Sequence, residues 1–210
     1  MASRVMHLAI TDCISKIYKC RDKNRFRLGA VLPDAAVSGN SHWKISICGG
    51  AKRTYDLTGF RLDFSDKILA DDLYLGYYLH LVQDLLFREF IYSRYHWNSQ
   101  LEGNPERLHE DYELLNSYII EKYGVSDDIA VPSSLDAEPI CKVCSFAVYK
   151  FLDDMKTDFT NIPTGVTFFF TKKMADKFIE LTIRKCAQEI YALFYHLESI
   201  DEIALAWNQI

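Results

Sequence analysis

The segment from Ser65 to Ile91 constrains the fold most. Ile68, Leu69, Leu73, Leu75, Tyr77, Tyr78, Leu81, Leu85, Leu86, Phe90 and Ile91 recur at helical spacing and cover more than one face. A helix that is apolar almost all round must be enclosed by other elements, so the pattern predicts a central, buried helix opening at Ser65. His80 and Asp84 lie four residues apart inside it, and both side chains leave the same face. An ionised carboxylate there needs a partner or a metal, because an unpaired buried charge is costly. The spacing alone serves a core His–Asp hydrogen bond as well as it serves a pair of metal ligands. Gly76, one turn before His80, leaves room on that face for a ligand or another chain segment.

The rest of the chain reads mainly as helix. Ser3 is a candidate N-cap for an amphipathic helix reaching about Lys19, on the stripe Val5, Met6, Ala9, Ile10, Cys13, Ile14 and Ile17, with His7 in its first turns. A basic stretch from Arg21 to Arg27 leads to Leu28–Pro33, where Pro33 ends any helix and puts Asp34 on a loop. Alternation at Trp43, Ile45 and Ile47, the break at Gly49 and Gly50, and the run from Thr54 to Leu57 predict a small β-hairpin near residues 43–58. Asn104 as N-cap and Pro105 at the first helical position open a further helix that ends at Gly124. Residues 125–140 read as a loop, Phe146 to Met155 as helix, and the stretch capped by Thr171 as a long final helix to Leu197. With 210 residues, the expectation is a single, mainly all-α, multi-helix domain spanning 1–210.

Composition narrows the function. Hydrophobic content of 49% with 14% aromatics excludes disorder. A formal charge of −5 argues against general attraction to a nucleic-acid duplex or an anionic membrane, so a phosphate-bearing substrate would need a local site. The start of the chain lacks a secretory pattern and no stretch is apolar enough to span a membrane, which gives a cytoplasmic expectation. The six cysteines then read as reduced thiols, and Cys141 and Cys144 form a lone C-x-x-C without the second pair a zinc knuckle wants.

Other residues add to the His80/Asp84 pair. His7 and His42 sit where a folded chain can bring them to His80, and imidazole with carboxylate suits zinc, with manganese or iron as alternatives. His109 and Glu113 repeat the four-residue spacing beside the Leu108 and Tyr112 stripe, and read either as ligands or as a solvated surface pair. His96 is a ligand or an aromatic-flanked packing residue; His196 reads as structural or exposed. There is no Gly-rich phosphate loop, G-x-S-x-G, H-E-x-x-H or adjacent His-Asp dipeptide.

The stretches Met6–Ile10, Leu28–Asp34, Ser41–His42 and Leu75–Asp84, in that order, resemble the zinc-dependent phospholipase C family. The resemblance is specific over residues 5–90, looser through His109 and Glu113, and slight after residue 125. It implies an all-helical phospholipase C/P1 nuclease-like fold with a cluster of two or three zinc ions that cleaves phosphoester bonds. Carried over, His7, Asp34, His42, His80 and Asp84 match metal-ligand motifs, with Asp84 as a bridging carboxylate. His109 and Glu113 match a third-metal pair, with His96 as the remaining histidine. Secreted members use the amino group of a processed N-terminus as a ligand; with no signal to remove, a two-ion site is the expectation for this chain.

The resulting expectation is a metal-dependent phosphoester hydrolase acting on a phospholipid, nucleotide or small phosphorylated metabolite, with Asp34 as base. Lys44, two residues beyond His42, is either a point charge for a phosphate oxygen or simply solvated. The competing expectation is a non-catalytic helical binding module with at most a structural metal.

Overall fold

The computed structural model describes residues 2–208. In chain order it contains α1 (Arg4–Ile17), α2 (Lys23–Val31), a 3-10 turn (Leu32–Ala35), β1 (Ala36–Ser38), β2 (Lys44–Ile47), β3 (Lys52–Tyr55), α3 (Leu57–Asp63) and α4 (Ser65–Ile68). There follow α5 (Asp72–Arg88), a π-helical turn (Glu89–Arg94), α6 (Asn104–Tyr123), α7 (Ile140–Val143), β4 (Ser145–Phe146), α8 (Val148–Met155), α9 (Thr157–Thr160), α10 (Lys172–Tyr195) and β5 (Trp207–Asn208). The architecture is mostly helical with small antiparallel pairings, as the periodicity predicts. No helix among the described residues is long and apolar enough to cross a membrane.

Every residue of α5 from Asp72 to Phe87 is buried, which makes it the central helix the hydrophobic pattern requires. Its start differs from the expectation. Ser65 opens only the short α4, and Asp71 then accepts from the Leu73 amide (3.0 Å) to begin α5 afresh. Helix α1 keeps its predicted cap, with the Ser3 hydroxyl accepting from Met6 N–H at 3.3 Å. The basic stretch before Leu28 is itself helical, because Asp22 caps α2 through the Arg25 amide (3.0 Å). Its guanidiniums are neutralised: Arg25 pairs with Asp71 and Glu138, and buried Arg27 with Asp12. Asn104 does not act as the N-cap of α6; it is the first helical residue, entered from Gly103 in the left-handed region (φ 79°), and its side chain donates to Asn98 O.

The hairpin forms where alternation places it, with Lys44 opposite Tyr55 and Ile47 opposite Lys52. Strand β5 adds to it by pairing Trp207 with Arg53. The short β1 pairs with β4. Trp43 sits at φ 47°, a rare conformation for a bulky residue. Edge contacts of its ring with Phe60, Phe64 and Tyr77 and a bond from Asp56 N–H to its carbonyl (2.7 Å) hold it there.

Helices α2 and α5 approach to backbone contact. A Cβ at Gly29 would collide with the Leu73 carbonyl, and one at Gly76 with the Phe26 carbonyl. The space Gly76 leaves is thus filled by another chain segment, α2. Gly76→Ala should therefore lower stability by about 1–3 kcal/mol through overpacking, read as a lower urea midpoint. An unchanged midpoint would contradict the contact.

Candidate metal centre

Four elements deliver polar side chains to one buried point. His7 comes from the second turn of α1, Asp34 from the 3-10 turn that Pro33 opens, His42 from the loop before β2, and His80 and Asp84 from consecutive turns of α5. His7, His80 and Asp84 form one group whose ligand atoms all lie within 4.8 Å, and Asp34, His42 and His80 form another. His80 belongs to both.

The two oxygens of Asp84 face different partners. Oδ1 lies 3.4 Å from His7 Nε2 and accepts from the Ala2 amide at 2.9 Å. Oδ2 lies 3.7 Å from His42 Nε2 and 3.8 Å from His80 Nε2, and accepts from the Tyr55 hydroxyl at 3.3 Å. Asp34 Oδ1 is 3.2 Å from His42 Nε2 and 3.8 Å from His80 Nε2. Ligand atoms on one tetrahedral zinc, each bound at about 2.1 Å, sit about 3.4 Å from one another. The cluster is built on that scale.

Each imidazole is oriented from behind. His80 Nδ1–H donates to the Ala30 carbonyl at 2.8 Å, His7 Nδ1 contacts Gln83 Oε1 at 2.9 Å, and His42 Nδ1 contacts Ser41 Oγ at 3.0 Å. All three Nε2 atoms consequently face the cluster. Outer partners of this kind fix the tautomer of metal-binding histidines. His7 Nε2 is buried without a hydrogen-bond partner, and His42 and His80 present Nε2 to Nε2 at 3.3 Å. An orphaned imidazole nitrogen beside two others and two carboxylates is a donor set that fits a divalent cation.

Electrostatics agree with the geometry. Burial, reinforced by His7, lowers the His80 pKa to about 3, so its Nε2 lone pair is free near neutrality. Burial works against ionisation of Asp34 and Asp84, but the surrounding imidazoles outweigh it and hold both carboxyls below the usual range. For His7, burial is outweighed by the contact with Asp84 and the charges of Asp84 and Asp34, and its pKa rises.

His7, His80 and Asp84 are sealed from solvent, whereas the Asp34 and His42 side chains retain 11% and 10% exposure. Asp34 also lines a cleft of about 330 Å³ together with Arg4, His109, Tyr112 and Glu113. The structure thus places His109 and Glu113, both exposed, on the wall of that cleft and outside the close cluster. His96 is exposed at φ 53° and belongs to neither group among the described residues. His196 caps the end of α10 in the left-handed region. All six cysteines are free thiols, and Cys141 and Cys144 join no metal-binding group among the described residues.

Sequence reasoning missed the supporting residues Ala30, Ser41, Tyr55, Gln83 and Arg88. Arg88 carried a usable signal, since it follows Asp84 by one further turn on the face of His80 and Asp84. Its Nε donates to the Tyr55 hydroxyl at 2.9 Å, which in turn donates to Asp84.

The neutral state of His80 has a measurable consequence in metal-free protein. The unfolded chain binds a proton on this histidine below about pH 6.5, and the folded chain does not until about pH 3. Stability tied to His80 is therefore complete above pH 6.5 and is lost as pH falls, at about 1.4 kcal/mol per unit. Urea titrations with chelator at pH 7 and 5.5 should show wild type losing more stability than His80→Gln; equal losses would exclude the neutral assignment.

No protein-family model, curated protein or solved structure matches this chain.

Proposed function

We propose that the chain is a metal-dependent hydrolase of phosphoester bonds, with a site for two divalent ions made by His7, Asp34, His42, His80 and Asp84. The observation that carries this reading is the convergence of three oriented Nε2 atoms, one of them orphaned, on two carboxylates. Asp84 would help to hold both ions, because its oxygens face the His7 side and the His42 side respectively. His80 offers one Nε2 and would serve one ion. The order of these residues also supports a likeness to the zinc-dependent phospholipase C family, and zinc suits the mixed imidazole and carboxylate set, as manganese and iron do less closely.

Bound ions would supply Lewis acidity to a phosphoryl oxygen and a water acidic enough to attack at neutral pH. The chain's own residues supply the rest. Asp34, ionised and next to the open cleft, accepts the proton of the attacking water. Gln83 and the Ala30 carbonyl hold His7 and His80 in the required tautomers. The sealed α5 side keeps Asp84 dry, while solvent and substrate reach the Asp34 and His42 side. Structural metal sites are closed, and it is this one-sided opening that favours catalysis over a binding module with a structural metal.

Protein prepared without chelators should contain two equivalents of divalent metal by elemental analysis. His80→Ala and Asp84→Ala should lose both equivalents together and reduce hydrolysis of p-nitrophenyl phosphates at least 1,000-fold, an estimate in line with loss of metal-ion catalysis. Folded wild type that takes up no zinc, manganese or iron would overturn the proposal.

A further inference from the structure

Several buried and half-buried cations in this molecule pair with carboxylates. Arg4 pairs with Asp158, Arg25 with Asp71 and Glu138, Arg27 with Asp12, and Arg61 lies near Glu189. Two cations beside the His/Asp cluster are not paired in this way. Lys44 and Arg88 are both half-buried, and among the described residues neither has a carboxylate within ion-pair distance.

The two cations are placed by the hairpin and by α5. Lys44 stands directly across from Tyr55 in the β2–β3 pairing, so the two side chains share a face, and its Nζ lies 6.0 Å from the Tyr55 ring centre. Arg88 reaches the same ring from the other element. Its Nε donates to the Tyr55 hydroxyl at 2.9 Å, and its guanidinium stacks 4.4 Å over the Trp207 ring. The Tyr55 hydroxyl donates to Asp84 at 3.3 Å, so the guanidinium is one hydroxyl away from the cluster. Arg53 adds a third positive neighbour to the surroundings of Lys44. No hydrogen bond from Lys44 Nζ and none from Arg88 Nη2 is made within the described residues, which leaves N–H donors for an incoming anion.

We infer that Lys44 and Arg88 form a phosphate-binding wall beside the metal centre, which selects phosphomonoester dianions over phosphodiesters. This specificity rests on the hydrolase reading above; anion binding by the pair does not. The donors themselves support the choice. Two adjacent cations favour the ligand with more negative charge: a diester phosphate carries one, and a monoester, with its second pKa near 6, carries about two at neutral pH. Lysine supplies a point charge and arginine a planar fork of donors, both suited to terminal phosphate oxygens.

The test uses Lys44→Met, Arg88→Met and Arg88→Lys in the full chain, with metal equivalents, circular dichroism and calorimetric titration of inorganic phosphate on the same samples. Lys44→Met should keep the wild-type metal content and bind inorganic phosphate at least ten-fold more weakly, and Arg88→Met should weaken phosphate binding at least as much. Arg88→Lys should recover part of the loss. Wild type should hydrolyse p-nitrophenyl phosphate with higher kcat/KM than bis(p-nitrophenyl) phosphate, and Lys44→Met should cut that ratio at least ten-fold. Folded variants with unchanged phosphate affinity, or a diester preference that Lys44→Met leaves untouched, would overturn the inference. Wild type without metal would sink the hydrolase reading and the monoester choice with it, while the phosphate titration would still decide the anion wall. Lys44 lies on a half-exposed strand position, so its variant keeps the test open even if Arg88→Met does not fold.

Discussion

The backbone contact between α2 and α5 at Gly29 and Gly76 is the constraint on which the rest of the structure depends. Helices packed through ordinary side chains lie about 8–10 Å apart, too far for a side chain of one to meet a main-chain acceptor of the other without reaching around its neighbours. Here neither glycine leaves space for a Cβ, and the Ala30 carbonyl, one residue after Gly29, lies 2.8 Å from His80 Nδ1, one turn after Gly76. The same approach sets the tautomer of the central histidine. It also aims the chain leaving α2 through Pro33, so that Asp34 arrives opposite His80 within three residues of the helix end at Val31.

A second layer of aromatic packing completes what the helix crossing begins. Trp43 holds a left-handed backbone conformation because its ring is gripped by Phe60, Phe64 and Tyr77 and its carbonyl by the Asp56 amide. That turn separates two residues with different duties, His42 directed into the cluster and Lys44 onto the Tyr55 ring. The hairpin is small by residue count, yet it supplies the hydroxyl that links Asp84 to Arg88. Away from the cluster, Asp111 performs a purely architectural version of the same task. Its carboxylate accepts from the amides of Phe168, Phe169 and Phe170 and so fixes the approach to α10.

Much of this was legible in the sequence where one periodicity dominates. The all-round apolar pattern located α5, and a four-residue spacing inside it put His80 and Asp84 on one face before any contact was known. Pro33 and the alternation around Trp43 placed Asp34 and the hairpin. Other features depended on tertiary partners. Helix α2 is hidden by its basic residues, which are tolerable only because Asp12, Asp71 and Glu138 come from elsewhere to neutralise them. His109 and Glu113 share the spacing of His80 and Asp84 but face a cleft and not a core, and spacing alone does not distinguish the two settings. His96 was flagged by residue type only, and the left-handed turn carrying it leaves it exposed.

The proton inventory of the cluster explains why its three histidines are held by three different kinds of partner. A carbonyl can only accept, so Ala30 commits His80 to Nδ1–H and leaves its Nε2 bare. His42 Nε2, facing that bare nitrogen at 3.3 Å and Asp34 at 3.2 Å, must then carry the proton that both acceptors share when no cation is present. Its Nδ1 rests on the Ser41 hydroxyl, which donates in that state and accepts in the opposite tautomer. Serine at this position therefore lets His42 exchange a proton on Nε2 for a cation without losing its outer hydrogen bond. A carbonyl behind His42 would instead forbid the proton-sharing arrangement, and a rigid donor would forbid ligation. The fixed partner behind His80 and the adaptable one behind His42 thus divide the work: the sealed side of the cluster is preorganised, and the side open to solvent is the one that can exchange.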